Sequence, residues 1–292
     1  MTHLEIVDPA FRRLIHEDRP LQKLASGSLW AEGPAWIPNQ QCVVWSDTRS
    51  NRMWRWSEAD GQSVFREPSN NSNGNTIDRQ GRLVTRKHRT HRLSRTEPGG
   101  AVVTLADSYQ GRKLNSPNDV VVKSDGTVWF TDPPYGIETS REGVQRPSEL
   151  DGNYVFRFDP ATNDLRIVAD DFDRPNGLAF SADESILYIA DTGAPKHMRA
   201  LDVSADGTLS NSRVFAKVDP PASDGFRVDT EGNVWSSAGN GVHVLSPEGK
   251  LLGKILVPER TANCCFGGRS NQTLFITAST SLYSVEVAAT GV

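Results

Sequence analysis

The sequence predicts an all-β fold, a six-bladed β-propeller of four-stranded antiparallel blades, and three observations carry that prediction. A hairpin motif recurs along the chain at a spacing of about 40 to 50 residues, the period of propeller blades. Each copy leaves room for two further short strands before the next begins. A spare strand ahead of the first copy can complete the last one, closing the ring and removing an exposed edge.

The clearest copy runs from Leu114 to Asp132. It reads as a polar corner (Asn115-Ser116-Pro117-Asn118), a short apolar strand, a Ser124-Asp125-Gly126 turn, a second apolar strand and a carboxylate, Asp132. Two apolar runs around a Gly-containing turn form an antiparallel hairpin, so Asn118 and Asp132 emerge at the same end. The copies begin at Glu32, Asn75, Asn118, Asn176, Asp224 and Asn263. Third strands are expected at 52–56, 154–158 and 242–245, and fourth strands at 101–105 and 251–257. The sixth copy ends near Val287 without a fourth strand, and residues 20–25 are the spare strand that fills its place.

The whole chain, 1–292, reads as one propeller domain. In residues 1–19, Phe11, Leu14 and Ile15 recur at helical spacing, which allows a short helix ahead of the ring. The segment 133–153 interrupts the third copy. It is polar and proline-rich, and it follows a second strand, so it is expected to overhang the central opening as a lid.

Charge and composition narrow the function. The 32 basic and 36 acidic residues give a net charge of −4, against a nucleic-acid binder, which shows a basic excess. No stretch approaches the roughly 20 apolar residues of a membrane helix, and no signal peptide is recognised at the N-terminus, so a cytoplasmic protein is expected. A monomer or weak homodimer is expected. The three cysteines, Cys42, Cys264 and Cys265, read as small buried hydrophobes.

In a propeller the first strands line the axis, so the residues that open each copy face the central channel. All six are acidic or amide side chains. Taken one at a time they also suit turn corners, because Asx residues favour them. Converging on one axis, they form a hard-oxygen site suited to Ca²⁺, or with waters to Mg²⁺ or Mn²⁺; without His or Cys the site disfavours Zn²⁺ as the natural ion, leaving it as a substitute in vitro. Asp47, His88, Asp132 and Asp191 end second strands on the same face. A His88–His91 metal pair is disfavoured, because on a strand the two would face opposite sides. There is no nucleophile-elbow sequence and no glycine-rich phosphate loop.

The ordered motifs Glu32-Gly33-Pro34, Ser116-Pro117-Asn118-Asp119-Val120, Trp129 to Gly136, Arg174 to Leu178 and Ser223-Asp224-Gly225 resemble the gluconolactonase, senescence-marker-protein (regucalcin) and luciferin-regenerating-enzyme family. The likeness is greatest to its bacterial gluconolactonase-like branch. It implies a propeller with a divalent metal in the tunnel, held by Glu32, Asn118, Asn176 and Asp224, that hydrolyses a sugar lactone to the aldonic acid. Asp224 or Asp132 is expected as general base, with Asn75, His88 and Tyr135 toward the small-molecule substrate. Related readings are a propeller hydrolase of other esters or phosphotriesters, and a non-enzymatic binding propeller with structural calcium. The regucalcin branch carries an arginine where this chain has Ser116, so fold and metal site transfer better than substrate.

Overall fold

A computed structural model describes residues 3–220 and 222–292. Six antiparallel sheets succeed one another along the chain, each with its first strand at the axis. Blade 1 comprises Ala31–Ile37, Cys42–Asp47, Arg52–Ser57 and Gly61–Arg66. Blade 2 runs through Ser72–Ile77, Leu83–Lys87, Arg92–Thr96 and Val102–Ala106. Blade 3 holds the opening hairpin as Val120–Val122 and Val128–Asp132, then Tyr154–Asp159 and Asp164–Ala169. Blade 4 spans Pro175–Phe180 to Leu209–Ala216, and blade 5 Phe226–Val228 to Leu251–Leu256. Blade 6 takes three strands from Thr261–Gly267 to Ser281–Glu286, and its fourth is the N-terminal strand Gln22–Ser26, which pairs antiparallel with Ser281–Glu286. The ring is therefore six-bladed and closed by that N-terminal strand.

The N-terminal segment does more than close the ring. Residues 1 and 2 lie outside the described residues. Leu4–Ile6 pairs antiparallel with the outer strand of blade 5, giving that sheet a fifth strand, and Pro9–Arg13 forms a 3-10 helix capped by Asp8. Phe11 and Leu14 from this turn are fully buried in the cluster shared by blades 5 and 6. Gly253 leaves the space Phe11 fills: a Cβ there would stand 2.1 Å from the Phe11 ring.

The core lies between blades rather than at the axis. Trp129 of blade 3 meets Phe180 of blade 4 edge-on at 5.4 Å, and Trp235 of blade 5 meets Phe266 of blade 6 in the same way at 5.4 Å. Trp36 of blade 1 stacks on Phe275 of blade 6 at 5.4 Å across the closing seam. Each of these large rings bridges two sheets, so burial of the apolar faces sets the angle between neighbours. Cys42, Cys264 and Cys265 are buried free thiols within this packing, and burial pushes the last two up to about 12. Among the described residues no helix is long and apolar enough to cross a membrane.

Because Phe11 is fully buried and plugs the space left by Gly253, Phe11→Ala is expected to cost about 3–5 kcal/mol. Urea unfolding of wild type and variant measures it; a loss under about 1 kcal/mol would show that the N-terminal turn is dispensable to the ring.

Candidate active site

The inner strands reach the axis through a shared irregularity. Their pairing with the second strands shifts register between Glu32 and Ala35, Ser72 and Asn75, Pro175 and Leu178, and Thr261 and Asn263. A bulge bends a strand and re-aims a side chain, which here turns Glu32, Asn73 and Asn176 inward. The residue after it is glycine in four blades: Gly33, Gly74, Gly177 and Gly225. These glycines pack against the next blade's backbone or polar side chain. Gly74 N–H donates to the Asn118 carbonyl at 2.8 Å, Gly177 to the Asp224 carbonyl at 2.9 Å and Gly225 to the Ala262 carbonyl at 2.9 Å. A Cβ on Gly74 or Gly177 would stand 2.4 or 2.1 Å from the carbonyl oxygen it faces.

This register changes the assignment in blade 2. The polar residue followed by glycine is Asn73, and Asn73 lines the cavity on the second-strand-end face. Asn75, the residue expected to face substrate, is two positions further in. Its fully buried amide donates to the carbonyls of Gly33 and Asn73 and to Ser46, so it braces the seam between blades 1 and 2. The pairing of an Asx or Glu with a following Gly was the signal that identifies Asn73.

The cavity has a volume of about 570 Å³ and brings together Glu32, Asn73, Asn118, Asn176 and Asp224. Asn263 does not join them; its side-chain Oδ1 accepts from Cys264 N–H at 2.8 Å. Glu32 accepts from the Trp30 indole and the Gly33 N–H, each at 3.2 Å. Burial nevertheless pushes Glu32 well above the usual carboxylate range, and the charge of Asp224 adds to this. Asp224 is raised to about 7, again chiefly by burial; Arg260 opposes that rise, while Asp119 and Glu142 add to it. Asp119, next to Asn118, is itself buried and faces Arg227 at 3.5 Å across the tunnel.

The segment 133–153 contributes two walls. A short helical turn, Tyr135–Glu138, puts Tyr135 into the lining, its hydroxyl bonded to Thr192, which in turn contacts the Asn176 amide at 3.4 Å. Glu142 lines the other side and accepts two bonds from Arg49, at 3.0 and 2.9 Å. Gly136 fits against His88 and Ser116, where a Cβ would stand 2.6 Å from His88. Its N–H donates to the Ser116 hydroxyl at 2.8 Å, so Ser116 anchors this segment.

His88 is fully buried and does not line the cavity. Its Nδ1 faces the Glu142 carbonyl oxygen at 3.2 Å and its Nε2 faces the Asn73 amide nitrogen at 3.3 Å. A carbonyl only accepts, so Nδ1 carries the proton and Nε2 accepts from Asn73. The Asn73 carbonyl oxygen is thereby directed away from His88. Burial holds the imidazole at about 4, so it is neutral at pH 7.

Asp132 is also fully buried and outside the lining. One oxygen accepts from Asn115 N–H at 2.8 Å and the other has no partner among the described residues. Burial raises its carboxyl to about 7, against the pull of Asn115 and of Arg86. Arg86 is buried over the Phe130 ring at 3.6 Å, and its three guanidinium nitrogens have no partner among the described residues.

Sequence reasoning missed Trp30, Arg49, Asn73, Glu142, Thr192, Lys196 and Arg260, all of which line the cavity. Apart from Asn73, they come from segments between strands or from the residues just ahead of an inner strand, which carry no repeat signal.

A model of the SMP-30/Gluconolactonase/LRE-like region matches residues 30–280. The gluconolactonase of Zymomonas mobilis subsp. mobilis is 31% identical over 93% of this chain and 82% of its own length. The solved structure of a gluconolactonase from Xanthomonas campestris superposes with a TM-score of 0.93 at 38% identity, covering 97% of this chain and 94% of that one. A calcium-binding regucalcin from Agrobacterium tumefaciens superposes with a TM-score of 0.77 over 92% of this chain and 95% of that one; at 18% identity that likeness is one of fold.

Two outcomes test this description. Gly177→Ala, which drives a methyl into the Asp224 carbonyl, is expected to destabilise by about 2 kcal/mol or more, whereas Gly99→Ala, with open space around it, stays within about 0.5 kcal/mol. Equal midpoints in urea for the two variants would refute the tight axial ring. Asp132 has a folded-state value above its unfolded value, so its contribution to stability is present below about pH 4 and is lost as pH rises through about 7. Asp132→Asn is therefore expected to gain stability relative to wild type between pH 5 and 8; parallel pH profiles of unfolding would contradict the burial argument.

Proposed function

The chain belongs to the SMP-30/gluconolactonase/LRE-like family, and on that premise we propose that it is a metal-assisted lactone hydrolase acting on a sugar lactone. The observation that carries this reading is the pair Glu32 and Asp224: a buried and a half-buried carboxylate in one cavity, each raised in pKa by desolvation, with amide side chains of Asn118 and Asn176 beside them. Buried carboxylates without a compensating cation are costly, so the site favours a positive charge.

The donor set fits a hard divalent cation. Glu32 and Asp224 would balance two charges, and the side-chain oxygens of Asn118 and Asn176 would complete a protein share of four ligands, which would suit Ca²⁺ and leave positions for water and substrate. Among the described residues no three His, Cys, Asp or Glu side chains cluster as a metal site, in keeping with amides supplying half the ligands. When bound, such a cation supplies Lewis-acid polarisation of the lactone carbonyl and balances charge on its oxygen.

The chain's own groups perform the proton movements. Asp224 takes a proton from the attacking water; positive charge beside it draws its pKa down from about 7, so it is ionised and able to accept at neutral pH. The water oxygen bonds to the carbonyl carbon, the ring C–O bond breaks, and the proton passes to the departing ring oxygen, yielding the open hydroxy acid. Asn73, held by neutral His88, accepts from a sugar hydroxyl through its free oxygen. Tyr135 and Thr192 hold the Asn176 amide in place. Asp132, sealed from the cavity, steadies the Asn115–Ser116 corner through Asn115 N–H and does not reach the water.

Glu32→Gln is expected to lower kcat/KM for lactone by about a thousandfold or more and to abolish retention of a divalent ion, read by acid release at fixed pH and by elemental analysis. A variant that keeps both its ion and its turnover would overturn the assignment.

A further inference from the structure

Two cations in the cavity have no contact assigned in the chemistry above, although the charge of one, Arg260, lowers Asp224. Arg260, in the connection from blade 5 to blade 6, and Lys196, in the loop after the second strand of blade 4, both line the cavity and are exposed at its rim. Neither makes an ion pair or a side-chain hydrogen bond with any other described residue. Arg49, the third cation of the lining, is different: Glu142 neutralises it through two hydrogen bonds. Trp30 organises the two arginines, with Arg49 over its ring at 4.8 Å and Arg260 at 5.8 Å, so Arg260 is held toward the cavity by a ring rather than a counter-ion.

The charges are thus layered. The negative groups, buried Glu32 and half-buried Asp224, lie deeper in the cavity, and the positive groups without an ion-pair partner stand exposed at the rim. A neutral sugar lactone leaves both rim cations without use. An anionic group bonded to the lactone's far end would meet them while its carbonyl reaches the floor. The reverse orientation would carry the lactone carbonyl away from Asp224, the group that takes the proton from the attacking water. Guanidinium and ammonium donors to carboxylate or phosphate make strong charge-assisted hydrogen bonds.

We propose that Arg260 and Lys196 form a specificity rim that selects a sugar lactone carrying a second anionic group, carboxylate or phosphate, at the end remote from its carbonyl. The proposal rests on the lactone-hydrolase reading for its reaction, but the rim can be tested without turnover.

The experiment compares glucono-δ-lactone with 6-phosphogluconolactone and with a glucarolactone, using the metal-loaded wild type, Arg260→Gln and Lys196→Gln. In parallel, calorimetry measures binding of the corresponding acids, gluconate, 6-phosphogluconate and glucarate, which share the product carboxylate and differ at the far end. Wild type is expected to favour an anionic lactone at least tenfold in kcat/KM at low salt, mainly through KM, with the preference shrinking as ionic strength rises. In each variant the anionic-to-neutral ratio is expected to fall toward one. Loss of Arg260 also removes a charge that lowers Asp224, but that effect acts on all substrates and cancels in the ratio. Whichever anionic lactone is favoured identifies phosphate or carboxylate as the group read. If no lactone is turned over yet an anionic acid binds more tightly than gluconate and loses that advantage in the variants, the rim stands and the lactonase reading fails. Turnover of all three lactones with equal kcat/KM, or a preference that both variants keep, overturns the rim and leaves the lactonase reading intact.

Discussion

At the axis, backbone meets backbone with no room for a side chain. The N–H groups of Gly74, Gly177 and Gly225 donate to carbonyls of the neighbouring blade, and an added methyl on the first two would stand within 2.4 Å of oxygen. In four of the six blades the inner strand breaks its regular pairing where the sheets approach this closely. The same register shift turns a polar side chain from blades 1, 2 and 4 toward the tunnel. The architecture and the site are therefore consequences of one constraint. Glycine is required where the chains touch, and the residue before it becomes functional.

That convergence concentrates like charge. Glu32, Asp224 and Asp119 come from three different blades; desolvation raises each, the charges of Asp224 and Asp119 add to the rise of Glu32, and that of Asp119 adds to the rise of Asp224. Such an arrangement opposes folding at neutral pH unless something positive is supplied. Arg227 partly meets this need for Asp119, at 3.5 Å, on the side of the tunnel away from the cavity. Among the described residues no ion pair is made by Glu32 or Asp224, and only the charge of Arg260 opposes the rise of Asp224, which is the physical basis for expecting a divalent cation there. The cavity's cations stand further out, around Trp30 and across the mouth at Lys196.

Buried polar groups beyond the cavity act by holding its walls. His88, neutral because burial lowers it to about 4, links the Glu142 carbonyl to the Asn73 amide and so ties the segment 133–153 to blade 2. Ser116 receives the Gly136 N–H, and Arg174 pairs with Glu138 through two bonds at 2.9 and 2.7 Å. The segment is thus fastened at both flanks of its short helical turn, which steadies Tyr135 and Glu142 in the lining.

The repeat itself determined the fold, the closure by residues 22–26 and the meeting of Glu32, Asn118, Asn176 and Asp224, because a periodic hairpin placed around an axis brings equivalent positions together whatever the loops do. It did not determine register at single-residue precision. Asn73 and Asn75 are both amides flanking Gly74, and only the packed ring shows that the first faces the cavity and the second braces the seam. Nor does a hairpin pattern reveal depth: Asp132 ends its strand where expected, but the 133–153 segment and Asn115 seal it beneath the lining. Arg49, Glu142, Lys196 and Arg260 lie in connections that obey no period, so their convergence exists only in three dimensions. Sequence specifies what repeats; the tertiary structure decides which non-repeating charges the closed ring brings face to face.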